Sequence, residues 1–534
     1  MGYAHDYATA IMHRGRVAMP PFNFEPNWPD APRKSKFYPD AENLPLPDAP
    51  PPADATVQAG LDAPGEPAAG FTLPLLGGML RDSYGLLGRR LGVQANTDMA
   101  ALPQYAYANW HRGTASGGGL YPCSVYWVSG SSGPMTPGIY YYANPQHAFQ
   151  RLLTGDVTER VRRALGDLPL PEGTDQFLVI GVKYWQNAFK YNSFSYHAVS
   201  MDVGTVLQTW RMWAQAQGLR IEPALWFDAA ALGDLVGAGG DAEGVFAVVP
   251  LAWAGAAVSR PAGNPEGELG DDPAPTVRLR DRERSRTVLH FPTLTKIHRA
   301  TSAHAAERPD PGALAAAAAL PVPADGERIT LPAPQPLDAG IRATLRSRRS
   351  SFGRFEAERV MTAGELGTLL AATATANLNG DAGPAEVNLT KLYAYVNHVQ
   401  DVPAGSYEYD PRAHALRLVD PVPPGDFLQR NYFLSNYNLE QAGAVVVPTI
   451  RTAAVLDAVG DRGYNVVNAT IGAVAQIFYT ASAALDLGCG VALGFDNISY
   501  IEQLGIEQTG EMPLLIMLVG HERRHPADFR YELV

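Results

Sequence analysis

Three clusters in this chain combine chemically useful residue types with a spacing that ordinary packing does not call for. The first is Thr114-Ala115-Ser116-Gly117-Gly118-Gly119-Leu120-Tyr121-Pro122. Three consecutive glycines beside two hydroxyl residues give a backbone that can take left-handed angles or lie directly against a ligand. The second is Lys190-Tyr191. An amine beside a phenol can move a proton, provided that burial holds the lysine neutral. The third is Arg346-Ser347-Arg348-Arg349-Ser350-Ser351. Guanidinium forks and a serine hydroxyl next to an expected helix start suit a phosphate. Taken singly, each cluster also suits a plainer role: a flexible turn, an exposed lysine, a solvated basic surface.

Composition narrows the classes of function. A chain of 534 residues exceeds what one hydrophobic core organises, so two domains are expected. Hydrophobic residues make up 46% and charged residues 18%, a globular balance, and the net charge of −12 argues against a nucleic-acid partner. The first thirty residues hold charges and prolines instead of a signal-peptide core, and no uninterrupted apolar run reaches bilayer length. A soluble, cytoplasmic protein with no membrane partner is expected. Cys123 and Cys489 stand far apart with no ligand-rich motif beside them, so neither a disulfide framework nor a metal site is indicated.

The elements that must position the three clusters can be read along the chain. Residues 1–70, rich in Pro, Asp and Ala with scattered aromatics, read as an arm that wraps a core. A first unit spans 71–259 and contains two short buried strands, Phe177 to Val182 and Val248 to Leu251, with a core helix over 201–219 between them. Residues 260–330 read as a connector in which Val288 to Phe291 adds a short strand. A second unit spans 331–534.

The two units repeat one another. Gly138-Ile139-Tyr140-Tyr141-Tyr142 aligns with Gly405-Ser406-Tyr407-Glu408-Tyr409, and His147 then falls on His414 without a gap. Further on, Tyr196, Gly204, Gln208, Phe227-Asp228 and Gly237 fall on Tyr464, Gly472, Gln476, Phe495-Asp496 and Gly505. A repeat this long is a duplicated domain, and two like domains commonly pack about a pseudo-twofold axis. The copies differ where the chemistry lies. Copy two lacks the glycine loop, copy one lacks the arginine-serine cluster, and Lys190-Tyr191 falls on Ala458-Val459. One retained site per chain is the expected result.

Together these residues resemble the SagB-type dehydrogenases, FMN-dependent azoline oxidases of thiazole/oxazole-modified peptide biosynthesis within the nitroreductase-like flavoproteins. The resemblance rests on the glycine loop through Pro122, the two Gly-x-Tyr-x-Tyr segments, Lys190-Tyr191, Arg348-Arg349-Ser350 and Leu493-Gly494-Phe495-Asp496. It implies an α+β fold of two tandem nitroreductase-like domains forming an intrachain pseudodimer, with FMN between them. It further implies that Arg348, Arg349 and Ser350, helped by Arg523 or Arg524, hold the FMN phosphate and ribityl chain. Thr114, Ala115, Ser116, Gly117 and Gly118 would reach the flavin from copy one, and Leu493, Gly494 and Phe495 would approach its ring edge. Lys190 and Tyr191 would be catalytic, the substrate would be a precursor peptide, a cyclodehydratase would be a partner, and molecular oxygen would reoxidise the flavin.

The chain departs from that pattern after the lysine-tyrosine pair, where Gly-x-Arg-x-Tyr is replaced by Asn192-Ser193-Phe194-Ser195-Tyr196. Copy two keeps Gly460, Arg462 and Tyr464 without the lysine. Arg354 and Phe355 also stand one place late. These changes bear on the substrate more than on the cofactor, and they leave other readings open: an oxidase of another peptide-borne residue, a nicotinamide-dependent reductase, or a flavoprotein scaffold without catalysis. A dinucleotide fold is disfavoured, because Gly488-Cys489-Gly490-Val491-Ala492-Leu493-Gly494 has the wrong glycine spacing.

Overall fold

Two antiparallel sheets and two long buried helices organise the protein. The computed structural model describes residues 2–254, 275–523 and 530–532, apart from 64, 66, 68, 93–103, 380 and 383–386. In the first sheet the strands run Asn43–Pro45, Ala148–Thr154, Gly138–Ala143, Cys123–Ser129, Gln176–Lys183, Glu243–Pro250. In the second they run Gly488–Ala492, Ile516–Gly520, Ala444–Ile450, Thr390–Val396, Gly405–Asp410, Ala415–Asp420, Arg328–Thr330. The central strands are buried on both faces, which is why they read as continuous apolar runs in the sequence. Along Cys123–Ser129, for example, Val125 and Trp127 enter the large central core while Tyr126 and Val128 enter a smaller outer one. Side chains alternate between the two faces with the period of a strand.

Between the sheets lie the helices Ser195–Gln215 and Gly463–Ala484, packed on each other. Glycine lets their backbones touch. A Cβ on Gly204 would lie 2.0 Å from the Ala469 carbonyl oxygen, and one on Gly472 would lie 2.1 Å from that of Met201. The same reciprocity recurs about two turns earlier. Tyr196 donates from its hydroxyl to Asn465 Oδ1 at 2.9 Å, and the Tyr464 hydroxyl pairs with His197 Nδ1 at 2.9 Å. At the starts of the short helices Val57–Leu61 and Ile341–Ser347, Val57 N donates to Ala339 O and Ile341 N to Ala55 O, both at 2.9 Å. Matched positions also repeat local devices: Tyr142 hydroxyl with His147 Nδ1 at 2.9 Å, Tyr409 hydroxyl with His414 Nδ1 at 2.8 Å. Asp228 and Asp496 each cap a short helix that ends on a left-handed glycine, Gly237 or Gly505.

The helix Gly463–Ala484 is long and apolar enough to cross a membrane, but 94% of its most apolar window is buried inside the protein. Its composition is that of a core helix enclosed by both halves. The helix expected over 201–219 runs from 195 to 215. Val288 to Phe291 forms no strand; it leads into the helix Pro292–Ala303. The N-terminal segment lies along the body, with the helix Tyr3–His13 against Pro292–Ala303 and Thr452–Val459, and Asn43–Pro45 on the edge of the first sheet.

One local expectation is corrected. The arginine-serine cluster does not precede a helix start. It begins in the last turn of the helix Ile341–Ser347, whose C-cap is Arg348, and runs on past it, and the next helix begins at Ala363. Cations are favoured at that end of a helix, so Arg346 and Arg348 stabilise the terminus itself, and no helix N-terminus contributes to anion binding there.

Candidate functional site

The glycine loop is held from beneath by one buried carboxylate. Ser116 Oγ donates to Asp202 Oδ2 at 2.6 Å and Gly117 N to Asp202 Oδ1 at 2.8 Å, while Tyr121 N donates back to Ser116 Oγ at 2.8 Å. Ala115 is clamped on both sides of its peptide plane, its N donating to Gln476 Oε1 and its O accepting from Thr205 Oγ1, each at 2.9 Å. Gly118 and Gly119 take φ of 63° and 64°, which side chains rarely adopt. Burial raises the Asp202 carboxyl to about 7, against the two hydrogen bonds from the loop.

At Gly118 the loop meets the lysine-tyrosine pair. A Cβ there would lie 2.5 Å from the Tyr191 hydroxyl and 2.9 Å from Lys190 Nζ, so glycine is what allows the two to stand against the loop. Lys190 and Tyr191 close the short helix Trp185–Tyr191, with the ammonium 4.7 Å from the Tyr191 ring centroid and 5.9 Å from that of Trp28. Lys34 reaches the same place from the N-terminal segment. Its amine is pushed down to about 8 by burial and then by the positive charges of Arg112 and Lys190.

The arginine-serine cluster arrives from the other half. Arg348 is buried, and its guanidinium donates to the carbonyls of Gly113 at 2.8 Å and Arg112 at 3.0 Å. It thus fastens the root of the glycine loop to the second half. Arg349 pairs with Glu522 at 2.5 Å and keeps about a third of its side chain exposed. Ser350 Oγ bonds the Tyr479 hydroxyl at 2.8 Å, and that oxygen accepts from Val491 N at 3.1 Å. Arg523 donates to Gly353 O at 2.9 Å beside the same turn, whereas Arg524 lies outside the described residues. Burial first, then the nearby Tyr191 and Tyr479, raise the Tyr432 phenol.

The segment Leu493 to Phe495 closes the remaining side. Leu493 O accepts from Arg14, Gly494 O accepts from Phe433 N at 2.8 Å, and Phe495 is buried against Tyr500. The structure therefore brings Gly118, Lys190, Tyr191, Arg348 and Ser350 into one continuous region. It turns the Thr114 hydroxyl toward Ser83 O at 3.1 Å and Phe495 into a separate core cluster with Tyr395 and Tyr500, so both act as supports.

Sequence reasoning missed Asp202, Lys34 and Arg14. Asp202 had a signal, since it is the single carboxylate in the helix Ser195–Gln215 and falls on Thr470 in the other copy. Lys34 and Arg14 had none, because the segment carrying them has no counterpart in the second half. Among the described residues no His, Cys, Asp or Glu cluster could hold a metal ion.

Residues 345–521 match the nitroreductase family model. Among solved structures the chain is similar to a candidate nitroreductase from Anabaena variabilis, with a TM-score of 0.71 and 21% identity over 98% of this chain and 100% of that one. Partial likeness, with TM-scores of 0.28 and 0.24, extends to a chain of the E. coli microcin synthetase complex with truncated pro-MccB17 bound and to the NADPH:FMN oxidoreductase of Vibrio harveyi. The first is 16% identical over 39% of this chain and 78% of that chain, the second 18% identical over 34% and 69%. No curated protein matches the sequence. The fold is nitroreductase-like.

Proposed function

We propose that this protein is an FMN-dependent oxidoreductase, specifically an oxidase that converts thiazoline or oxazoline rings to thiazole or oxazole in a ribosomally made peptide. In this reading residues 71–259 and 331–534 are tandem nitroreductase-like copies, residues 1–70 an arm and 260–330 a connector. The reciprocal contacts of the two long helices support the pairing. The observation that carries the functional reading is the meeting at Gly118 of a ligand-approach loop with an amine and a phenol, tied through Arg348 to the second half.

The residues present suit FMN. Arg349, Ser350 and Arg523 offer cationic and hydroxyl donors for a phosphate and ribityl chain, and the glycine loop offers close backbone approach. Arg348, buried on loop carbonyls, serves by positioning. FMN, when bound, supplies a two-electron acceptor. In its free-amine form Lys190 Nζ takes the ring proton that azoline aromatisation releases, and the Tyr191 hydroxyl orients the reacting ring by hydrogen bonding. The precursor peptide and a cyclodehydratase are the proposed partners, with molecular oxygen as the final oxidant.

The test is incubation of the purified chain with an azoline-bearing peptide in air, read by mass spectrometry. Loss of two hydrogen atoms per ring is expected. Bound yellow flavin with NADPH turnover and no ring oxidation would replace this reading with a reductase, and a chain that stays colourless after FMN is added would replace it with a scaffold.

A further inference from the structure

The repeat aligns Phe194 with Arg462, and Leu493 with Leu225. At one of these two matched places the arginine belongs to the expected position. Arg462, buried, donates from Nε to Leu225 O at 2.9 Å and lies 5.0 Å from the Phe227 ring. At the other place the matched position holds a phenylalanine, which cannot donate. Yet the Leu493 carbonyl is not left unpaired. Arg14 Nη2 donates to it, Arg14 Nη1 donates to Asn497 Oδ1 at 2.7 Å, and the guanidinium sits 4.8 Å from the Phe194 ring. The guanidinium has thus been replaced by one from a distant part of the chain, stacked on the side chain that took its position.

We infer that Arg14 is a positioning residue of the site, standing in for the arginine that position 194 lacks, so that the N-terminal arm is a component of the site and not only a cover. Several contacts deliver it there. Tyr7 packs edge-on against both Tyr196 and Tyr464 and donates to Ser193 O at 2.7 Å. Ala4 N donates to Asp461 Oδ1 at 3.1 Å, and Arg16 pairs with Asp496 and Glu502 at 3.1 and 2.9 Å. Arg14 is enclosed enough that burial lowers its pKa to about 10. What it fixes is the Leu493 peptide, whose neighbour Gly494 lines the proposed flavin edge, and to that extent the inference rests on the FMN reading.

The decisive experiment is a relocation. Arg14→Ala, Phe194→Arg and the double variant are compared with the parent by FMN titration and by amide hydrogen exchange over residues 493–497 without flavin. Arg14→Ala should weaken FMN binding about tenfold and speed exchange there, as expected for losing a charge-assisted hydrogen bond. The double variant should recover both to within about threefold, because its arginine regains the geometry of Arg462. Should Arg14→Ala fail to fold, recovery of folding by Phe194→Arg supports the same conclusion. A double variant no better than Arg14→Ala, or Arg14→Ala indistinguishable from the parent, overturns it. If the parent binds no FMN the functional reading fails, and hydrogen exchange alone still decides the role of Arg14.

Discussion

The peptide at Leu493-Gly494 and its counterpart at Leu225-Trp226 sit at matched places in the repeat and have been put to different ends. Around the first are the glycine loop, Lys190, Tyr191 and Ser350. Around the second, Asp381 occupies the ground: its Oδ1 accepts from Leu225 N at 2.9 Å and Trp226 N at 3.3 Å, and its Oδ2 accepts from Arg308 Nε at 2.8 Å. Arg308 also donates to Leu165 O and Trp226 O at 2.9 and 3.1 Å. Beneath, Tyr479 with its bonds to Ser350 and Val491 is matched by Arg211, which donates to Asn377 O at 2.5 Å. Gln476 Oε1 grips the loop at Ala115, while Gln208 Oε1 is buried with no partner. One region keeps glycines beside the partly buried side chains of Lys190, Tyr191 and Ser350. The other has its backbone donors satisfied by the chain's own carboxylate, so its buried polar groups are paired within the protein.

The largest expected break in that contrast is Lys190→Ala, which should retain flavin and lower turnover at least about a hundredfold, the usual range for removing a general base. Ala458→Lys at the matched place should restore none of it. Single-turnover absorbance of bound flavin checks both. Next comes Arg348→Ala, which leaves the carbonyls of residues 112 and 113 without their charged donor; a loss of about 3 kcal/mol is expected, with weakened FMN binding. Arg211→Ala should lower stability and leave flavin affinity alone. Urea unfolding together with flavin titration separates the two, and equal effects on affinity would mean the regions are not specialised.

A smaller effect is expected at Asp381. Asp381→Ala frees two backbone donors and removes one of the two carboxylate partners of Arg308, at about 1–3 kcal/mol of stability. Flavin stoichiometry should stay at one per chain, since the second region also lacks a base and a glycine loop. Two flavins per chain in this variant would show that the carboxylate alone had closed a working site.

The sequence register shared by residues 138–237 and 405–505 was legible because it is carried by residues with local structural duties. Tyr142 with His147 and Tyr409 with His414, or Asp228 and Asp496 at their helix starts, do the same work in each half and so keep type and spacing. The glycine loop and Lys190 were legible as departures from that register. The placement of Arg348 was not, because the short helix Ile341–Ser347 has no side-chain cap to announce it, and an arginine that binds backbone carbonyls reads the same as one that binds phosphate. Arg14 was invisible for a different reason: its partner at Leu493 is set by how the arm wraps, a long-range fact with no periodic trace. The segment from Val288 to Phe291 has strand-forming residues but finds no edge to pair with, so tertiary context overrides propensity.

The least of the expected effects sharpens the comparison between Asp202 and its counterpart Thr470. Burial holds the Asp202 carboxyl near 7 in the folded chain, above its ordinary 3.8. As pH rises past the ordinary value, the unfolded chain gives up this proton while the folded chain keeps it. Stability from this group is therefore full below about pH 4 and is drained progressively until about pH 7, after which it changes no further. Asp202→Asn carries no such slope. The variant also loses one of two acceptors, since an amide nitrogen cannot accept from both Ser116 and Gly117, which costs about 1 kcal/mol at every pH. The melting temperature of Asp202→Asn should accordingly lie below that of the parent near pH 5, gain on it up to about pH 7 and hold level with that gain beyond. A difference that stays constant across that range would mean the carboxylate is already ionised in the folded protein, and that the loop rests on a charge instead of a buried acid.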